Sequence, residues 1–246
     1  HETGYEQGVL LNGWDALRSD PSNAEGHRLL ADKYASDSRF EAARASELLQ
    51  SQLWQPLSSY PLQPQLGETG IAVVEGSGPQ RPSLNEFHSL FMQNGTHLTA
   101  GGYAGSDGTW ADDLVGSLLT GPVAVSLGQY HYTTDGWRDN ADQTQDVYNG
   151  FMQWQITPST SVQVEHRELN HDTGYLPATF SETGNASSAE ETDRTTDRFG
   201  ASHRFADAGA LLFSLIRQRL TTDTLLTQDT GPTDTHIDAE SVSGEV

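Results

Sequence analysis

The sequence predicts a mainly β fold: an antiparallel up-and-down barrel of the transmembrane kind, preceded by a short α-helical segment. Three observations predict it. From about Gly95 onward no segment of useful length carries a helical period. Strand-like runs follow one another instead, each near the ~9–11 residues that a tilted strand needs to cross a bilayer. The connections between them alternate between short turns and long polar loops, as in outer-membrane barrels, whose short turns are periplasmic. Several runs also alternate polar with apolar residues, which separates two faces of a sheet.

Residues 5–53 read as helical. Leu10, Leu11, Trp14 and Leu17 recur at helical spacing, and Asp20-Pro21-Ser22-Asn23 breaks the pattern and supplies a cap. Leu29, Leu30 and Tyr34, then Phe40, Ala43, Leu48 and Leu49, predict two further amphipathic helices separated at Ser36-Asp37-Ser38. The run from Asp20 to Tyr34 resembles the opening of a tetratricopeptide repeat: Leu30, Ala31 and Tyr34 fit its first helix and Ala43 the small position of its second. Glu47 and Gln50 depart from it, standing where the repeat wants apolar or small residues. At most one and a half repeats fit. A repeat hides its apolar face only by stacking on neighbours. The unmet face is therefore expected to rest on upstream repeats, on the rim of short turns or on another protein. The resemblance implies a periplasmic recruitment module, tethered clear of the pore, whose partner-binding residues are Trp14 and Tyr34.

Residues 55–92 form a Pro-rich linker, with Pro56, Pro61, Pro64, Pro79 and Pro82 interrupting any helix. Within it Ile71-Ala72-Val73-Val74 is a short apolar run. The organisation is thus 1–54 helical, 55–92 linker and 93–246 barrel strands.

The strand runs are Thr96–Ala104, Thr109–Leu119, Val123–Thr133, Gln145–Ile156, Ser161–Leu169, Asp197–Phe205, Ala210–Leu220 and His236 to the end. Thr120-Gly121-Pro122, Thr157-Pro158-Ser159-Thr160 and Ala206-Asp207-Ala208-Gly209 are short turns; 134–144, 170–196 and 221–235 are long, polar loops. Gly105–Gly108 is short but occupies a long-loop position. Alternation places Met152, Trp154, Val162, Val164, Phe199 and Ala201 outward, and Gln153, Gln163, Arg167 and Ser202 toward a lumen. In a soluble sandwich the same polar faces would be the solvated outer ones; periodicity does not separate the two. In Ala210–Leu220 neither face is clearly polar. Trp110, Tyr130, Tyr132, Trp137, Tyr148 and Trp154 lie near strand ends and are candidates for interfacial girdles.

The strings SLNEFHSLF, GQYHYTTDGWRDNADQTQDVYNGFMQW and RFGASHRFADAGALLFSLI, in that order from Ser83, resemble the barrels of bacterial envelope proteins that join tetratricopeptide repeats to a porin-like or receptor-like outer-membrane barrel. The resemblance implies the bacterial outer membrane and its lipid as surroundings. It also implies a passage for solutes or an exported polymer, and a periplasmic or envelope protein as partner. The alternative is a non-transport surface or structural barrel that binds partners through its long loops. Neither the plug domain nor the coupling box of energised receptors is present. The last run ends inside a strand, so further strands are expected to complete the barrel.

Composition narrows the function classes. The 246 residues hold 34 Asp and Glu against 13 Lys and Arg, a net charge of −21. That field repels nucleic acid. The absence of cysteine removes thiolate sites and Cys nucleophiles. No metalloprotease, serine-hydrolase, phosphate-loop or dinucleotide motif is present, and no enzymatic role is expected. No cofactor is expected apart from a candidate Ca²⁺ site in the acidic loop 135–146, where the oxygens of Asp142, Thr144 and Asp146 alternate.

Overall fold

The computed structural model describes residues 3–34, 41–54, 94–174, 188–206, 209–228 and 231–245. The expected linker, the run Ile71–Val74, the break Ser36–Ser38 and most of the loop after Gly174 lie outside these residues. Three helices come first: α1 (Thr3–Ser19), α2 (Ala24–Tyr34) and α3 (Glu41–Trp54). Asn23 caps α2, its Oδ1 accepting from the N–H groups of Glu25 (3.1 Å) and Gly26 (3.0 Å). Gly13 and Gly26 let α1 and α2 approach closely, since a Cβ at either would run into Leu30 or Leu17. Leu30, Ala31, Leu49 and Leu53 are buried. What is shown is three helices in series, not a tetratricopeptide repeat.

Eight strands follow: β1 (Gly95–Ala104), β2 (Trp110–Thr120), β3 (Val123–Thr134), β4 (Gln143–Thr157), β5 (Thr160–Gly174), β6 (Ala189–Phe205), β7 (Gly209–Gln228) and β8 (Gly231–Glu245). They form one antiparallel sheet in sequence order, each strand paired with its neighbour in the chain. This is the expected meander. The sheet is open, with β1 and β8 as its edges.

The short turns are as tight as the sequence suggests. Gly121 adopts φ +52°, the left-handed conformation a primed hairpin turn needs. Adjacent turns are tied by Gln155 N–H donating to Pro122 O and Arg204 N–H to Ser159 O, both 2.8 Å.

At the opposite end the strands run further than their apolar alternation. The expected loop 221–235 is largely a paired hairpin: β7 and β8 keep register from Ser214↔Glu245 to Gln228↔Gly231. Similarly, β5 and β6 pair through Asn170↔Asp193 to Gly174↔Ala189, inside the expected loop 170–196. These stretches were hidden because both of their faces are polar, so no alternation marks them as strand.

The two faces of the sheet differ in exposure. From β2 to β6 one face is mostly buried, although α3 alone among the other described elements lies against it. A flat sheet would expose both faces alike, so the sheet curls around this one, here called inner. Both faces are open along β8 and almost all of β1.

Candidate functional site

The candidate site is the inner face and the helix seated on it. The four residues expected to face inward all lie there and are buried: Gln153 (2 % exposed), Gln163 (1 %), Arg167 and Ser202. Their outward counterparts stand on the other face, with Trp154 44 % and Val164 47 % exposed. Met152 and Phe199 are exposed there too, and Val162 and Ala201 half-buried. Large apolar side chains thus stand outside, while amides and a buried ion pair share the inside with apolar residues such as Val147, Phe151 and Leu169.

Strand register supplies the chemistry of the inner face. Glu165 and Arg198 are direct cross-strand partners, and the guanidinium meets the carboxylate with both side chains almost fully buried. The carboxylate also accepts from Asn149 Nδ2 at 2.6 Å. Toward the short turns Gln153 Nε2 donates to Ser161 Oγ at 3.2 Å. Toward the long loops Gln143 Nε2 meets His171 Nε2 at 2.9 Å. Above the ion pair Ala111, Val115, Tyr130, Tyr132, Val147 and Leu169 form an apolar cluster.

Two of the girdle candidates therefore belong elsewhere. Tyr130 and Tyr132 are buried on the inner face, because even-numbered residues of β3 point inward in this register. Trp110, Tyr148 and Trp154 are on the outer face, and Trp137 is exposed in the loop, with Arg138 stacked over its ring.

Charge divides between the faces. Inward strand positions carry Arg167, Arg194, Arg198 and Arg204 against Asp113, Glu165, Glu190 and Glu245, so the inner face is balanced. The acid excess lies outside and in the loops. Outward positions beyond the apolar band include Glu168, Asp172, Asp193, Asp197, Asp223 and Asp238, with Arg217 and Arg219 among them.

The candidate Ca²⁺ loop does not gather its oxygens. Thr144 and Asp146 point outward from successive outer positions of β4, and alternate residues on a strand stand ~6–7 Å apart. Asp146 Oδ1 is engaged by His131 Nδ1 at 2.7 Å. Among the described residues no group of three or more His, Asp or Glu side chains could hold a metal ion. The loop is shaped by its backbone: Gly136 and Asn140 have φ of +73° and +58°, and Asn140 Nδ2 donates to Ser188 O at 2.7 Å.

Trp14 and Tyr34 are brought together. The Trp14 indole hydrogen-bonds the Tyr34 phenol, while burial and then the Glu47 carboxylate push that phenol above its ordinary range. Trp14 remains half exposed, with Leu11 and Leu29 exposed on the same two helices. Glu47, out of place in the repeat pattern, holds His27 Nδ1 at 2.6 Å, and His27 Nε2 meets Pro21 O at 2.9 Å.

Sequence reasoning missed the seat of α3. Gly200 lies on the inner face of β6, and a Cβ there would come within 2.8 Å of Leu53 and 3.1 Å of Leu49. Ser202 Oγ donates to Leu53 O at 3.3 Å and Arg204 to Trp54 O at 2.5 Å, capping the last carbonyls of α3. Farther back along the helix Ser46 Oγ (3.0 Å) and Gln50 Nε2 (2.6 Å) both donate to Glu245 on β8. The expectation of a segment held clear of the sheet is corrected for α3. Its apolar face is met by β6 and its polar side chains by the end of β8. The signal was the departure at Gln50, which reaches Glu245; Glu47, the other departure, pins α2 instead through His27.

No protein-family model matches the chain, and no curated protein or solved structure does.

Proposed function

We propose that residues 94–245 form wall strands of a bacterial outer-membrane β-barrel with a polar interior that passes solutes or an exported polymer. The helices lie on the periplasmic side, where Trp14 and Tyr34 take an envelope protein partner. The observation that carries this reading is the row of large apolar side chains left exposed on the outer face of β2–β7. Water rewards burying apolar surface at ~25 cal/mol per Å²; a sheet that turns Leu118, Met152, Trp154, Phe199, Phe213 and Leu215 outward forgoes that gain unless something apolar surrounds it.

On β4 the outer face has nearly the length of a lipid belt. On β4 the apolar run from Tyr148 to Ile156 is ~27–30 Å along the strand at ~3.3 Å per residue. A strand tilted by ~40° then covers ~20–23 Å of membrane depth, close to the ~25 Å band of such barrels. On the neighbouring strands the apolar band is shorter: His166, opposite Gly150, follows Val164, Asp197 precedes Phe199 and Arg217 follows Leu215. In lipid the unpaired backbone groups of β1 and β8 would each cost several kcal/mol. This reading therefore requires those two edges to be paired in the membrane. No helix among the described residues is long and apolar enough to cross a membrane, which leaves crossing by strands untouched.

The balanced inner face supports a passage with weak ion selectivity. Reconstituted protein should give conductance steps in planar bilayers with a reversal potential near zero in a salt gradient. Strong cation or anion selectivity would remove that part of the reading, and absence of conductance from inserted protein, with residues 1–54 present and with them deleted, would remove the passage. A second reading, a surface or structural barrel without transport, is favoured by the close packing of Glu165, Arg198 and Asn149 across the inner face. The same bilayer experiment separates the two.

A further inference from the structure

We propose that α3 is a reversible plug, seated inside the curl of the sheet at its short-turn end, whose departure opens the passage. The proposal rests on the passage reading above and adds what closes it.

The seat is built for this helix. Gly200 leaves a notch into which Leu49 and Leu53 fit, and no other residue could stand there without moving them. Leu49 and Leu53 are buried in consequence. The C-terminal carbonyls of a helix are unsatisfied within it; here Ser202 and Arg204, both on the inner face of β6, accept that role. The far side of the helix is held by one carboxylate, Glu245, through Ser46 and Gln50. The helix thus reaches from β8 to β6 across the inner face of β7. A helix with side chains is ~10 Å across, comparable with the span of these three strands at ~4.8 Å spacing. A body of that size covers the inner face of these three strands at its short-turn end.

The same contacts make the plug removable. Among the described residues they are two hydrogen bonds to carbonyls, two to a carboxylate and a pair of leucines in a notch. Nor is seating wholly favourable: Trp54 Nε1 is buried with no partner among the described residues, and a buried unsatisfied donor works against the state that contains it. A pull on α1 and α2 is transmitted directly, because α2 packs on α3 through His27–Glu47 and through Ser51 Oγ, which donates to Ala24 O at 3.0 Å.

The test uses the full chain, which has no cysteine of its own. In Leu53→Cys/Gly200→Cys the two thiols are joined by oxidation directly or through a short disulfide-forming cross-linker, since the Leu53 side chain lies against residue 200. Oxidised protein should be shut in planar bilayers, and reductant should restore wild-type openings. Ser202→Ala and Arg204→Gln should each raise the open fraction roughly fivefold, the effect of losing one ordinary hydrogen bond. Equal conductance before and after reduction, with the disulfide verified by thiol labelling, would overturn the plug and leave the passage standing. So would failure of both direct oxidation and the cross-linker to join the two cysteines in folded protein, since Leu53 would then not sit at Gly200. If inserted wild-type protein, the reduced double variant, both cap variants and protein with residues 1–54 deleted all fail to conduct, the passage reading falls and the plug with it.

Discussion

Replacing Glu165 by Gln removes the buried counter-charge of Arg198 while keeping volume and an oxygen for Asn149 Nδ2 to donate to. Both ion-pair side chains are almost fully buried, 1 % exposed for Glu165 and 5 % for Arg198. The guanidinium cannot swing into solvent without leaving the inner face, where register fixes it opposite residue 165. Breaking a buried pair by removing one partner typically costs ~3–5 kcal/mol, because an uncompensated charge remains. An exposed pair would cost under ~1 kcal/mol. Glu165→Gln should therefore destabilise by about 3 kcal/mol. Replacing both partners, as in Glu165→Gln/Arg198→Gln, should recover most of the loss, a coupling of ~1–3 kcal/mol. The assay is urea unfolding of the reconstituted protein followed by tryptophan fluorescence, with single and double variants in one cycle. A single variant within ~0.5 kcal/mol of the parent would refute the claim that this pair is shielded from water. A double variant that falls by the sum of the two singles would refute the pairing itself.

Further outcomes follow from other parts of the molecule. Val164→Arg or Phe213→Arg, on the outer face, should cost ~2–4 kcal/mol if placed at mid-depth in lipid; unfolding in vesicles reads this, and a loss below ~0.5 kcal/mol would contradict lipid contact. Gly136→Ala should cost ~1–3 kcal/mol, since its φ is +73° and a Cβ would lie 2.2 Å from Ala141 O; unfolding midpoints measure it, and a neutral result would mean that the 135–142 loop takes another path. His27→Ala should strand the buried Glu47 carboxylate and loosen α2 from α3 by ~2–3 kcal/mol; faster amide exchange at 41–54 would record it, and unchanged exchange would count against the pin.

Where the sequence was legible, it was so for a physical reason. Short turns announce themselves through Gly121-Pro122 and Pro158-Ser159, and parity then separates Gln163 from Val164. Beyond the apolar band that parity carries little contrast: Thr221, Asp223 and Asp234 point outward and Thr222, Thr224 and Thr233 inward, so 221–235 reads as loop. On β7 the two faces looked alike for the opposite reason. Leu212 and Ile216 point inward toward the side that α3 covers, while Leu211 and Leu215 point outward. Long-range partners were out of reach. Gly200 says nothing of Leu53 until the fold brings them together, and Glu165 and Arg198 find each other only once register is known. Residues outside the apolar pattern, Glu47 and Gln50, proved to be the contact-makers.

The central claim is that the outer face of the sheet meets lipid, and Trp154 tests it most directly. It stands on the outer face of β4 between Met152 and Ile156, and is 44 % exposed. The measurement keeps Trp154 as the sole tryptophan, with Trp14, Trp54, Trp110 and Trp137 replaced by Phe, in vesicles of lipids brominated along the acyl chain. The account predicts strong quenching by acyl-chain bromine and little by aqueous iodide. Quenching by iodide, with none by brominated lipid, would contradict it.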